Sequence, residues 1–343
     1  MCNDRILRAH RLARRNNGLA ALLAAAGLAQ SALAAVYSWN TTNGSWQNAG
    51  NWAPNGVPGT GDTILIGNLP AAQNGTVLLG PPGAGYERLE ITDGMTVDLN
   101  GGELVSFGEA WITGVGSRVI ARPHQGINQS DFIGQLRLGE GAIFDLRDNV
   151  QATFHGLSWS HGLVTGRGVI KAGAAFANHG VIRPSNNGGL LLYGGHSGES
   201  PIDLDGDGSG HLQLDTPFSV LTVDSSELTD AFSGTISLVP GALLTMNIDA
   251  GWTADSASVI NVAGFNNPAA ASQINGDALT FGGTMNIGAA EGRLRILATT
   301  TFATTAQVDI GPTDTLQTSG ATTVLGGLYM LGQGALLVFD GPT

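Results

Sequence analysis

The chain is poor in cysteine, lysine and charge, and each shortage excludes something. Its one cysteine, Cys2, lies at the extreme N-terminus, so the chain beyond it has no thiol for a disulfide, a zinc–thiolate centre or a cysteine nucleophile. Lys171 is the only lysine, and only 12% of the residues are charged. Glu, Lys and Gln are scarce, which leaves little material for solvent-facing helices. Low charge together with 42% hydrophobic residues argues against disorder.

The N-terminus has the three parts of a secretory signal. Arg5, Arg8, Arg11, Arg14 and Arg15 precede a nearly apolar run from Gly18 that closes on Ala32-Leu33-Ala34. This predicts a cleavable signal peptide over 1–35 and a mature start near Ala35 or Val36. The run is shorter than the ~20 residues that span a bilayer, and no basic stop-transfer stretch follows it. An uncleaved anchor is the alternative. Asn16-Asn17-Gly18 after Arg14-Arg15 does not match a twin-arginine signal. Without the leader, 10 basic residues face 26 acidic ones, a net charge of −16 with neutral histidines. Such a surface repels nucleic acid and anionic lipid, so no nucleic-acid partner and no membrane insertion of the mature chain are expected.

What is present is glycine, 52 residues of it, with Val, Ile, Leu, Thr, Asn and Ser. One phrase recurs: a glycine, then alternating apolar positions, then a turn residue. It reads Gly141-Ala-Ile-Phe-Asp-Leu, Gly180-Val-Ile-Arg, Gly210-His-Leu-Gln-Leu, Gly234-Thr-Ile-Ser-Leu and Gly283-Thr-Met-Asn-Ile. Period-two alternation buries one set of side chains and exposes the other. The pattern predicts all-β strands of about 3–6 residues joined by sharp corners. Irregular spacing favours a right-handed parallel β-helix, a β-solenoid in which stacked coils share one core, over a β-sandwich.

Residues 36–70 read as an N-terminal cap and first coil, and 71–343 as solenoid repeats. Trp39, Trp46 and Trp52 lie close together in the sequence, and such rings can cover the open end of a first coil. Pro54 and Pro58 stop strand addition, and Asp62 is placed to bond nearby backbone amides.

The segment Gly44-Ser-Trp46, Asn51-Trp52 and Gly56-Val-Pro-Gly-Thr-Gly-Asp-Thr63, followed by an apolar strand, resembles the start of a group of bacterial surface proteins. These are autotransporter-type and sorting-signal-bearing proteins with β-helical repeats. Ile202–Gly210, Leu228–Ser237, Leu244–Asn247 and Thr322–Gly327 are similar to the interior repeats of the same group. The resemblance implies fold and placement, secreted or on the cell surface, and no catalytic residues. Such proteins commonly end in a barrel or an anchor. The ending Leu337–Thr343 is neither, so the repeats are expected to be cut short, the alternative being a freely secreted protein.

Asp203, Asp205 and Asp207 alternate ahead of Gly208, like the first half of a calcium loop. The loop does not complete. Counted from Asp203, position twelve is Leu214; counted from Asp205, it is Thr216. A calcium site and a solvated acidic turn both remain open. Arg118, Arg122, Arg137, Arg147, Arg167, Lys171 and Arg183 would bind a polyuronate if coils stacked them on one face, with Asp145 or Asp148 as acid or metal ligand. His155 and His161, with Trp159 between them, could converge at a loop, while His124, His179, His196 and His211 are scattered. Ser158 and Ser160 lack a nucleophile-elbow pattern. The reading is a non-enzymatic adhesin-like surface solenoid meeting a glycan, matrix or cell-surface ligand, with Trp111 or Trp159 as glycan contacts. The alternative is a polysaccharide lyase or hydrolase on the same scaffold.

Overall fold

The computed structural model describes residues 34–68, 74–80, 84–101, 104–123, 129–156, 158–185, 188–196, 199–263, 271–288, 291–330 and 333–340. Residues 36–343 form one unit, distinct from 1–35. The expected signal peptide and His124 fall outside the described residues, save for Ala34 and Ala35.

The unit is a parallel β-solenoid of about 11 coils, as the glycine-punctuated alternation predicts. Each full coil contributes a strand to three ladders, and the ladders form three faces. The first face stacks Val36–Trp39 on Thr63–Ile66 and later carries Ser158–Ser160 and Phe176–Asn178. The second runs unbroken from Asn43–Ser45 through Thr76–Leu78, Thr96–Asp98 and Arg118–Ala121 to Gln307–Ile310 and Gly327–Met330. The third includes Gly189–Gly194, Val220–Ser225 and Leu243–Ile248.

Register explains the core. On the second face Val77, Val97, Val119, Phe144, Val164, Ile182 and Leu212 are successive partners, and all are buried. Each coil thus places one large apolar side chain on the last, which a single coil could not bury alone. Outward positions form polar rows. Asn275 Nδ2 donates to Asn247 Oδ1 at 2.6 Å on the third face, and Asn286 Nδ2 to Asn261 Oδ1 at 2.8 Å on the second.

The recurring glycine has a steric cause. A Cβ on Gly210 would collide with the Asn178 carbonyl oxygen, and one on Gly234 with that of Gly210. These glycines stack at the corner between first and second faces, where the backbones of adjacent coils touch.

One expectation needs correction. Strands are not uniformly short: Ile143–Phe154 has 12 residues, and Leu163–Ala172, Ser272–Phe281 and Arg293–Phe302 have 10 each. They bend round a corner and serve two ladders, so a polar break in the sequence is not always a strand end. Coil length varies as well. Leu163 pairs with Val181 and Val181 with His211, and the second step along the chain is far longer than the first.

The tryptophan segment lies at the first coil of the stack. Trp52–Ala53 pairs antiparallel with Val36–Trp39, covering the edge of the first strand that a parallel coil would otherwise extend. Trp39, Trp46 and Trp52 are each 0% exposed. Trp52 meets both others edge-on, with centroids 4.9 Å apart in each pair. Its Nε1 donates to the Trp46 carbonyl at 2.8 Å. Asp62 Oδ2 accepts from the Gly59 amide at 2.8 Å, the backbone bond its position predicts.

Candidate functional sites on the solenoid surface

The acidic segment lies at the corner between the first and second faces. Asp203 Oδ1 accepts from the amides of Asp205 (3.1 Å) and Gly206 (2.7 Å), which folds the turn. Asp205 points inward, is 2% exposed, and accepts through Oδ2 from the Ser233 amide of the next coil. Burial pushes its carboxyl up to about 6 against the pull of the Ser233 bond, with the charges of Asp203 and Asp230 adding to the rise. Asp230 is raised by burial and then by Asp203 and Asp207.

Carboxylate oxygens of Asp203, Asp205 and Asp230 lie within 4.8 Å of one another. Stacking adds Asp230 to the expected Asp203 and Asp205, and Asp207 lies near enough to Asp230 for its charge to raise that carboxyl. Asp207 occupies a left-handed turn position (φ 65°) with its side chain exposed, whereas stacking brings the 228–233 segment over Ile202. Three hard oxygens suit calcium, which takes six to eight, the remainder from backbone or water.

The seven basic residues do not all share one groove; Arg147, Arg167 and Arg183 lie near one another. Arg137 lies on the first face between its register partners Trp111 and Trp159, its guanidinium 4.5 Å and 4.1 Å from their ring centroids. It pairs with Glu109 at 2.6 Å, and Trp111 Nε1 donates to the same carboxylate at 2.6 Å. Both indoles thus lie against a guanidinium, which takes up ring surface that sugar stacking would need. Arg122 pairs with Asp98. Arg147 pairs with Asp145 (2.9 Å), Arg167 with Asp148 (2.9 Å) and Arg183 with Asp215 (3.3 Å) along the second face and its far corner.

The histidines also regroup. The ring partner of His161 is His179, one coil on, with centroids 4.6 Å apart and planes 15° from parallel. Ser158 Oγ donates to the Gly156 carbonyl, and Ser160 Oγ to that of Gly162. These hydroxyls satisfy corner backbone.

A cluster that the sequence reading did not find lies on the third face. Lys171, Tyr193 and Asp224 are successive register partners. His196 stacks on Tyr193 at 4.8 Å and places Nε2 3.4 Å from Asp224 Oδ1. Glu199 pairs with Lys171 at 2.7 Å, and this bond raises the lysine further above its ordinary range. The Glu199 side chain is only 8% exposed, and its Oε2 is buried without a hydrogen-bond partner. The one sequence signal was that Lys171 stands alone; its partners Tyr193 and Asp224 lie far along the chain, at steps set only by stacking.

No protein-family profile, curated protein or solved structure matches the chain. The fold and these surface clusters therefore carry the functional reading.

Proposed function

We propose that the chain is an exported, non-catalytic, adhesin-like surface or extracellular solenoid that meets a glycan, matrix or cell-surface ligand through its long faces. The observation that carries the reading is the unbroken second-face ladder. About 11 coils at ~4.8 Å each make a rod of roughly 50 Å whose outward residues repeat in register. Such a rod holds surface residues at fixed spacing without needing a pocket. The basic-apolar leader and the absence of thiols beyond Cys2 support export.

Surface labelling of intact cells with antibody, followed by N-terminal sequencing of the recovered protein, tests this. The expected result is labelled protein beginning at Ala35 or Val36. Protein confined to the cytosol with its leader intact overturns the proposal.

The third-face cluster favours a second reading, a polysaccharide lyase or hydrolase. Lys171, Tyr193 and His196 are proton-transfer groups gathered beside two carboxylates. Incubation with polyuronates and with neutral glycans tests it. Chain cleavage that is lost in His196→Ala, with the fold unchanged by circular dichroism, establishes an enzyme. No cleavage of either substrate class ends that reading.

A further inference from the structure

The coils at 143–149, 163–167 and 181–185 carry two adjoining depressions, each of about 330 Å³. One lies on the second face over Ile143, Leu163 and Val181, with His161, Arg183 and Gln213 at its rim. The other opens further along the same strands, where they leave that face. It is lined by Asp145, Arg147, Asp148, Arg167 and Ser185.

The second depression is made by a bulge. Leu146 pairs with Gly166 and Val150 with Gly168, so residues 147–149 stand opposite Arg167 alone. Asp148 (φ 57°) and Asn149 (φ 60°) take left-handed conformations to turn it outward. Gly166 is required beneath it: its φ is 113°, and a Cβ there would strike the Leu146 carbonyl oxygen. The bulge places Asp148 on Arg167 at 2.9 Å and lets Arg147 fold back onto Asp145 at 2.9 and 3.0 Å.

The charges in this cleft cancel in pairs. Arg147 binds Oδ2 of Asp145 through both Nε and Nη2. The Arg167–Asp148 pair is exposed on both sides, and such pairs contribute little stability, so an incoming polar group can part it cheaply. A cation or an anion would be attracted by one half of each pair and repelled by the other. A hydroxyl, donor and acceptor in one group, suits both halves. The neighbouring apolar furrow offers a floor for a C–H face.

We infer that this double depression binds a neutral oligosaccharide lying along the strands, with a sugar face on the apolar furrow and hydroxyls at the bulge. The site extends the proposed surface role by naming its ligand class, and it stands or falls separately. Absent surface labelling overturns the placement, and absent sugar binding overturns this site.

The test is calorimetric titration of the full-length protein with cellotetraose, xylotetraose and maltotetraose, and with trigalacturonate as the acidic comparison. At least one neutral tetraose is expected to bind with a Kd of about 0.1–1 mM, nearly independent of salt. Affinity should fall at least about tenfold in the double variant Asp148→Ala/Arg167→Ala and stay unchanged in Gln307→Ala, an exposed position on a distant coil. Both altered side chains in the double variant are substantially exposed, at 60% and 43%, so the fold is expected to survive. The inference is overturned if no neutral tetraose saturates by about 10 mM. It is equally overturned if binding survives the double variant, or if trigalacturonate binds more tightly in a salt-dependent way.

Discussion

Trp52→Ala is expected to cost about 3–5 kcal/mol, the range for truncating a buried aromatic, and to release the N-terminal coils before the rest. Trp52 sits between Trp39 and Trp46, so its removal breaks two edge-on ring contacts and opens a cavity beneath the only antiparallel pair among the described strands. It also leaves the buried Trp46 carbonyl without its donor. Trp39 Nε1 has no hydrogen-bond partner, so ring burial is the main stabilising contribution of that residue. In a stack where each coil touches only its neighbours, loss at one end spreads inward by steps. Limited proteolysis should first cut the variant within residues 36–66. Urea denaturation should show an early transition that the parent lacks. Trp52→Phe keeps a ring and should lose only about 1–2 kcal/mol. A Trp52→Ala protein that melts in one step with parental resistance to protease would show that the tryptophans do not act as a cap.

Lowering the pH from 7.5 to 4 should stabilise the solenoid through Asp205. The folded carboxyl titrates at about 6, above the ordinary value of 3.8, so the native state binds the proton more tightly than the unfolded chain. The stabilisation is complete below pH 3.8 and is lost as pH rises through 6. The difference is of the order of 3 kcal/mol. Asp230 and Asp314, both raised by burial, act with the same sign. Asp205→Asn keeps an oxygen for the Ser233 amide and removes the charge. It should gain about 1–3 kcal/mol at pH 7.5, gain almost nothing at pH 4, and flatten the pH profile between them. A variant weaker at pH 7.5 with the parental pH slope would contradict this. Calorimetric calcium titration assigns the cluster's role: heat that disappears in Asp205→Asn marks a cation site, and a flat titration leaves a buried acid.

The fold was legible because it rests on local rules. Gly180-Val-Ile-Arg and Gly210-His-Leu-Gln-Leu show which side chains point inward and where two backbones touch, and both follow from a few consecutive residues. The tryptophans were legible as a cluster because three large rings so close together need one another's surface. The sites were mostly illegible because they are built between coils. Asp230 joins Asp203 and Asp205 from the next coil, Arg137 lies between tryptophans on either side, and Lys171 meets Tyr193 and Glu199. No fixed interval connects these residues, since the step from Leu163 to Val181 and the step from Val181 to His211 differ so widely. Most of the ion pairs of the basic residues were not legible because the acid, such as Asp215 for Arg183, lies a coil or more away in sequence; Asp145 beside Arg147 is the exception.

The unequal coils give the protein a mechanical character. Tension applied to one end would peel strands in order, each coil yielding before the next is loaded. The short coil between Leu163 and Val181 lengthens the tether by about 60 Å, and the long coil to His211 by about 100 Å. A rod anchored at one end and gripped at the other would therefore extend in uneven steps. It would dissipate a sudden pull while most of its length stayed folded.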